Sequence, residues 1–164
     1  MSTPTETETL TPEQRAHLIQ WAEALESGKY KQGKNQLINN YMIPDPANYT
    51  YCCLGVACEI LPKEEFGEVV TRAFDKPRTE SLHPIIEEYY GIHSNFCPDR
   101  ATSDLCNDIK AGHFYPDIPL KAYLSTLPFS RLNDCRGAKF VDIAAHIRRV
   151  VKRSEEMESS HDGK

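Results

Sequence analysis

The sequence predicts an α+β fold in which helices from both ends of the chain pack on a small antiparallel β-sheet. Three observations support this prediction. An amphipathic segment with strong helix-start signals follows Thr11, two strand-forming segments flank a turn at residues 44–48, and an apolar stripe of helical spacing runs through residues 139–152. At 164 residues, the chain has the length of one domain, which we assign to residues 11–153.

The first helix begins with a complete set of local signals. Thr11 is a suitable N-cap, Pro12 occupies the first helical position, and Gln14 stands three residues after the cap, as in a capping box. Gly28 supplies the stop signal at the other end. Apolar residues fall on one face of the predicted helix, at Leu18, Trp21, Ala22 and Leu25.

The strand-forming segments are NQLINNYMI (residues 35–43) and NYTYCCLGV (residues 48–56), and the PDPAN between them predicts a turn that joins paired strands. On a strand, Cys52 and Cys53 would point to opposite faces of the sheet. The apolar run CCLGVACEIL then predicts a change from strand to a short buried helix that ends at Pro62.

The second half of the chain contains two more predicted helices. Residues 81–90 form the first, with Pro84 near its start and Gly91 at its stop. The pattern then weakens, and residues 92–122 are predicted to be mostly irregular.

The last predicted helix covers residues 139–152. Its apolar stripe consists of Phe140, Ile143, Ala144, Ile147 and Val151. Residues 1–10 and 154–164 are polar and charged, so the sequence predicts a disordered tail at each end.

Charge and composition argue against several classes of protein. The formal net charge of −5 arises in the two tails, which leaves residues 11–153 close to neutral. A neutral domain lacks the basic face that phosphate contacts require, which argues against a nucleic-acid partner. No apolar run is long enough to cross a membrane and no secretion signal is present, so we expect a cytoplasmic protein without a membrane partner. Its six cysteines are then expected to be reduced and mostly buried.

The stretch SGKYKQGKNQL (residues 27–37) comes close to a phosphate-binding loop, with Gly28, Gly33 and Lys34 at the expected spacing. A true loop of this kind follows a strand and precedes a helix, and its last position is a Ser or Thr that ligates magnesium. Here a predicted helix precedes the motif, a predicted strand follows it, and Asn35 takes the place of the hydroxyl residue. The sequence therefore argues against a nucleotide-hydrolysing loop.

A weaker form of anion binding is open to the same segment. We call it the lysine loop and define it as Lys29, Tyr30, Lys31, Gln32 and Lys34. Its three ammonium groups and its hydrogen-bonding neighbours suit an anion or an acidic partner. The alternative is a solvated turn whose lysines serve solubility and whose tyrosine packs on the sheet.

Asn133 and Asp134 precede the last predicted helix and have two interpretations. Short polar side chains at such positions hydrogen-bond to the N–H groups of a turn or a helix start, and Gly137 fits the same turn. A functional interpretation directs Asp134 at a ligand bound near the lysine loop. We therefore add both residues to the lysine loop as candidate ligand-binding residues, although the sequence does not bring them together.

One set of residues has the chemistry of a zinc site. His93, Cys97, Cys106 and His113 lie in the region without apolar periodicity, where a metal ion could organise the chain. The set lacks the C-x2-C pair of common zinc modules, so ordinary loops are the alternative, and we predict no cofactor. A catalytic cysteine would need a neighbouring histidine or helix N-terminus to lower its thiol pKa, and the sequence fixes neither beside a cysteine.

Three parts of the chain resemble a family of small proteins from tailed-phage genomes, prophages and some bacteria. The family patterns are W...AL.SG.Y.Q, YCCLGVLC and LND.G.SF..IA..I. The matching parts of this chain are Trp21 with ALESGKYKQGK (24–34), YCCLGVACE (51–59) and LNDCRGAKFVDIAAHI (132–147). The chain departs from the pattern at Lys139, where the family usually has Ser, and in a turn after Asp134 that is one residue longer.

The resemblance implies a phage or prophage origin, and members of this family are mostly without an assigned activity. We therefore expect an accessory protein that binds a host protein or a small anionic, nucleotide-like ligand without catalysis, in host takeover or counter-defence. One alternative is an enzyme that acts on a nucleotide or a phosphorylated metabolite, with Asp134 in proton transfer. The other is a zinc-stabilised interaction module. Assembly into a homo-oligomer is also open.

Overall fold

The computed structural model describes residues 9–75, 82–93, 102–113, 115, 118, 120–134 and 137–162 of the chain. Its elements, in chain order, are helix α1 (Pro12–Glu26), strands β1 (Lys31–Gln32) and β2 (Ile38–Asn39), a 3-10 helix (Pro46–Asn48), strand β3 (Thr50–Tyr51), and helices α2 (Cys53–Glu59), α3 (Lys63–Asp75), α4 (Pro84–Tyr90), α5 (Thr102–Lys110), α6 (Leu120–Tyr123), α7 (Thr126–Asp134) and α8 (Phe140–Asp162). The predicted α+β class, with helices from both ends of the chain around a small sheet, is confirmed.

The strands form a mixed sheet with the order β1-β3-β2. β2 and β3 are antiparallel, with Ile38 opposite Tyr51, and the PDPAN segment between them contains the 3-10 helix. This pair was predicted from the sequence. β1 lies on the other side of β3 and is parallel to it, with Lys31 opposite Thr50. The sequence predicted an antiparallel sheet, and the parallel pair of β1 and β3 departs from this prediction. The pair was missed because β1 is too short to show a strand pattern in the sequence.

The predicted start and stop of α1 are confirmed. The Thr11 side chain accepts a hydrogen bond from the Gln14 N–H, and the Gln14 side chain accepts one from the Thr11 N–H. Gly28 follows the helix with a φ of +74°, a conformation that favours glycine. The apolar face predicted for this helix is buried, and α1 packs along α8.

α8 continues beyond its predicted end. Residues 154–162 are helical, although the sequence predicted a disordered tail there. Ser154 is fully buried, and its Oγ accepts a hydrogen bond of 3.1 Å from the Leu10 N–H. Arg15 and Glu158 form a salt bridge at 2.7 Å. The start of α1 thus contacts a polar helix end that composition alone would leave in solvent. The predicted tail residues 1–8, 163 and 164 lie outside the described residues.

α2 is the short buried helix that the sequence predicts before Pro62, but it begins earlier than expected. Cys52 is its N-cap and the next residue is helical, so the two adjacent cysteines do not lie on a strand. The Cys52 Sγ accepts a hydrogen bond from the Gly55 N–H, and both thiols are buried. Position 55 requires glycine, because the Cβ of any other residue would lie 1.7 Å from the Leu37 carbonyl oxygen.

The region from 92 to 122 contains more helix than predicted, because it includes α5 and most of α6. Leu105, Cys106 and Ile109 bury one face of α5. This apolar pattern is too short to stand out among the polar residues around it. Just before this region, α4 has Pro84 at its start and Gly91, with a φ of +71°, at its stop, as predicted.

Apolar side chains from both ends of the chain join one core. Trp21, Tyr90, Tyr123 and Phe129 are among its largest fully buried side chains, and the rings of Trp21 and Phe129 lie 4.9 Å apart. The Tyr90 hydroxyl donates a hydrogen bond of 2.7 Å to the Ala57 carbonyl oxygen, so its burial leaves the hydroxyl paired. Among the helices that the structure describes, none combines the length and apolar character of a membrane span.

Candidate functional site

Gln32 joins the lysine loop to the start of α8. Its Nε2 donates to the Asn133 Oδ1 over 3.0 Å and to the Ala138 carbonyl oxygen over 2.8 Å. Its Oε1 accepts a hydrogen bond of 3.1 Å from the Phe140 N–H. Both ends of this amide therefore have fixed partners, and they hold the loop against residues that are more than a hundred positions away in the sequence.

Asn133 is wholly buried, and its side chain makes four hydrogen bonds. Its Oδ1 accepts from Gln32 and, over 3.3 Å, from the Cys53 N–H at the start of α2. Its Nδ2 donates to the Gly33 carbonyl oxygen over 2.8 Å and to the Asp134 Oδ1 over 2.7 Å. An amide has two donors and two acceptor positions, so this set uses its full capacity. Asn133 thus connects the lysine loop, α2 and α7.

Asp134 holds the other end of the loop. Its Oδ1 accepts a hydrogen bond of 3.0 Å from the Asn35 N–H, and Asn35 has a φ of +64°, which asparagine tolerates better than most residues. A phosphate-binding loop would begin a helix at this point, whereas here the backbone turns towards β2. Asn133 and Asp134 are the last two residues of α7. The sequence predicted that they lie in a turn before the last helix, and this prediction is wrong.

The structure therefore brings together the candidate residues that the sequence could not connect. Gln32, Asn133 and Asp134 contact one another or the same loop backbone, and we call these three residues the amide network. Sequence reasoning missed the partners that the backbone supplies, because nothing in a linear pattern indicates which carbonyl or N–H group lies opposite a side chain.

The lysine side chains of the loop lie outside this network. Lys29, Lys31 and Lys34 are exposed. The Lys29 Nζ lies 5.4 Å from the centre of the Tyr30 ring, within range of a cation–π interaction. The Lys31 Nζ donates to the Asn48 Oδ1 over 3.0 Å. Among the residues that the structure describes, none of the three lysines forms a salt bridge, so their positive charges are not neutralised by a paired carboxylate.

Tyr30 gives the loop a second attachment to the sheet. Its ring packs edge-on against that of Tyr51 in β3, with ring centres 5.4 Å apart. Burial, and then the nearby Glu59 carboxylate, raise the pKa of Tyr51 to about 12, so its hydroxyl stays protonated at neutral pH. The loop backbone is thus held by the amide network on one side and by an aromatic contact on the other.

Contacts of Trp21 and Cys53 join the three segments of this chain that carry the resemblance. The indole N–H of Trp21 donates to the Cys53 carbonyl oxygen over 3.0 Å, and the Cys53 N–H donates to Asn133. A chain of hydrogen bonds therefore runs from α1 through α2 to α7 and the loop. The hydrogen bonds of Gln32 give this residue a structural role in the loop.

The cysteines near the site are poor nucleophiles. Burial raises the pKa of Cys52 to about 11 and that of Cys58 to about 12, and it raises the pKa of Cys53 well above its usual value. The Cys53 Sγ also donates to the Phe129 carbonyl oxygen over 3.4 Å. These thiols and that of Cys106 are buried and free of disulfides, as the sequence predicts.

The residues of the zinc set have different surroundings. Cys106 is fully buried and its Sγ donates to the Pro128 carbonyl oxygen, whereas His93 and His113 are exposed. Cys97 lies outside the described residues. Within the described ranges, no three His, Cys, Asp or Glu side chains come together as a metal-binding group.

Two clefts lie away from the lysine loop, around α3 and β2. One has a volume of about 220 Å³ and lies between α2 and α3, beside Cys58 and Phe74. The other, of about 490 Å³, lies between β2 and the end of α3, beside Tyr41 and Phe74. Neither cleft is lined by a residue of the lysine loop.

Comparison with known proteins gives one family. Residues 15–151 match the model of a family described as a domain of unknown function, DUF8296. No curated protein and no solved structure matches the chain.

Proposed function

The chain belongs to the DUF8296 family, and we propose that it is a non-catalytic binding protein whose lysine loop docks on an acidic surface of another protein. The observation that carries this proposal is the combination of a fixed backbone and free charges. Gln32 and Asn133 hold the loop through half-buried hydrogen bonds, while Lys29, Lys31 and Lys34 are exposed to solvent.

A fixed loop binds with a smaller entropic cost than a flexible one, because its backbone is already ordered before the partner arrives. Exposed positive charges also increase the rate at which an acidic partner associates. Tyr30, whose ring lies beside the Lys29 ammonium group, adds an aromatic side chain of the type that is enriched at interfaces. Together these features suit a protein–protein contact.

A small anionic, nucleotide-like ligand is the second candidate for the same loop. Small ligands are usually enclosed by a cleft, whereas Lys29, Lys31 and Lys34 are exposed side chains. An acidic protein surface needs no enclosure, which is why we favour it.

Catalysis has less support. The Asp134 Oδ1, the candidate for proton transfer, already accepts hydrogen bonds from the Asn35 N–H and from Asn133. The raised pKa values of Cys52 and Cys58 disfavour thiolate chemistry at neutral pH. On the resemblance of its sequence segments, we further propose that the chain is phage-encoded and acts in the host cytoplasm, in host takeover or counter-defence.

The test is capture of partners from a bacterial lysate on the immobilised full chain, followed by affinity measurement with each purified partner. The double variant Lys29→Gln/Lys34→Gln removes two loop charges. Loss of two exposed ion pairs should weaken binding about 3-fold to 30-fold, and more strongly in about 50 mM than in about 300 mM salt.

The matched control is Lys63→Gln/Lys152→Gln, which changes the net charge equally at exposed positions outside the loop. It should leave the affinity unchanged. Equal binding by the loop variant and the wild-type chain would refute the proposal. Calorimetric titration with adenine nucleotides separates the second candidate: a nucleotide that binds the wild-type chain but not the loop variant would replace the protein partner.

A further inference from the structure

The edge strand β2 leads into a pair of apolar side chains that project into solvent. Tyr41 is 81% exposed and Met42 is 85% exposed, the largest values among the large apolar residues that the structure describes as exposed. Met42 also has a φ of +56°, a conformation that is rare for residues other than Gly, Asn and Asp and that costs free energy. The Ile43 N–H donates to the Asn40 carbonyl oxygen over 3.3 Å and closes a turn around these two residues, so the backbone itself holds both side chains out in solvent.

A receptive surface lies beside these projecting side chains. The cleft of about 490 Å³ between β2 and α3 is lined by Gln36, Ile38, Asn39, Asn40, Tyr41, Phe74 and Asp75. Phe74 is only partly buried, so an apolar group that enters the cleft would contact its ring. We call the cleft together with Tyr41 and Met42 the β2 edge surface.

The charge of this segment is unusual. Charged residues make up 26% of the chain, yet residues 35–44 contain none. Natural edge strands are commonly protected from pairing by charged side chains or proline, and neither stands at residues 38–42. Asp75 carries the only charge among the described residues that line the cleft.

From these observations we propose that the β2 edge surface is the interface of a homodimer. A two-fold axis next to β2 pairs this strand with its counterpart in the second copy, and it inserts Tyr41 and Met42 of each copy into the cleft of the other. Projection and cleft lie side by side on one surface, and a two-fold interface requires such a self-complementary surface.

Charge complementarity favours a second copy over an unrelated partner. Residues 35–44, which carry no charge, meet their own copy without like-charge repulsion, whereas a partner with a charged edge would lose solvation there and gain no opposite charge in return. The inference does not depend on the function proposed for the lysine loop, because β1 and β2 lie on opposite sides of β3.

The test is sedimentation equilibrium of the full chain from about 1 μM to about 300 μM, a range that covers weak and strong association. The wild-type chain should approach twice the chain mass of 18.7 kDa as its concentration rises. Met42→Asp places a charge in the interface and should raise the dissociation constant at least about tenfold, and Asn39→Lys on the strand edge should do the same.

The matched control is Val141→Asp, because Val141 is an exposed apolar residue on α8 (53% exposed). This variant should dimerise like the wild-type chain. Met42→Gly controls for misfolding of Met42→Asp, since glycine favours the positive φ of this position. The glycine variant should fold normally and should not dimerise. A wild-type mass of 18.7 kDa at every concentration would overturn the inference, as would a dimer that both Met42 variants leave intact.

Discussion

Replacing Asn133 with alanine tests whether the amide network holds the lysine loop on the fold. The substitution removes four hydrogen bonds at a fully buried position. Gln32 and Asp134 each retain another partner. Among the residues that the structure describes, the Cys53 N–H and the Gly33 carbonyl group have no such replacement, so the free-energy cost depends mainly on these two groups.

A buried polar group without a partner costs about 1–3 kcal/mol. The Cys53 N–H is buried and the Gly33 carbonyl group is partly buried, so we assign them about 2 and about 1 kcal/mol. With a urea m-value of about 2 kcal/mol/M, a total of about 3 kcal/mol lowers the unfolding midpoint by about 1.5 M. Fluorescence of Trp21, the single tryptophan of the chain, is a suitable probe because its indole contacts Cys53.

Two further variants separate hydrogen bonding from packing. Asn133→Asp keeps the side-chain size but replaces the Nδ2 donor with an oxygen that faces the Gly33 carbonyl group and Asp134, so at pH 7 it should destabilise at least as much as alanine. Gln20→Ala, at an exposed position of α1, should change the free energy of unfolding by less than about 0.5 kcal/mol. The reasoning would be refuted if Asn133→Ala lowered the free energy of unfolding by less than about 1 kcal/mol. It would also be refuted if Asn133→Asp lowered it by less than Asn133→Ala does.

Three other predictions follow from buried groups. Gly55→Ala should lower the free energy of unfolding by at least about 3 kcal/mol, because its Cβ would overlap the Leu37 carbonyl oxygen; wild-type stability in urea would contradict this. His146 is fully buried, and burial lowers its pKa to about 4 from 6.5. The unfolded chain therefore binds the proton more tightly, so this stabilisation is complete above pH 6.5 and is lost as the pH falls towards 4. Between pH 7 and pH 5 the loss should be about 2 kcal/mol, and His146→Gln should flatten that slope; an equal slope in the variant would exclude His146 as the cause. Native Cys52 and Cys58, with pKa values raised to about 11 and about 12, should react with iodoacetamide at pH 8 far more slowly than in the unfolded chain. Peptide mass spectrometry measures each site, and rapid native labelling would show that the thiols are accessible and ionised.

The features predicted correctly from the sequence are those that neighbouring residues determine. The capping box at Thr11, the glycine stop of α4 at Gly91 and the buried helix before Pro62 each depend on groups within a few positions of one another. Errors arose where a distant contact overrides local composition. The polar end of α8 is the clearest case, since Ser154 is buried by its contact with Leu10 at the other end of the chain.

The candidate site shows the same difference between local patterns and distant contacts. Its residues were identified from the sequence, because lysines in a glycine-bounded loop and a polar pair before the last helix are visible as patterns. Their roles were not, because Gln32 and Asn133 are separated by 101 positions and meet only after α7 and the loop have packed. The sequence by itself determined the fold class, the ends of α1, the stop of α4 and the neutral charge of the domain, which arise from local hydrogen bonding, periodicity and composition. Only the tertiary structure decided that the Gln32 and Asn133 amides support the loop while its lysines stay exposed, since partners for buried polar groups are chosen by long-range packing.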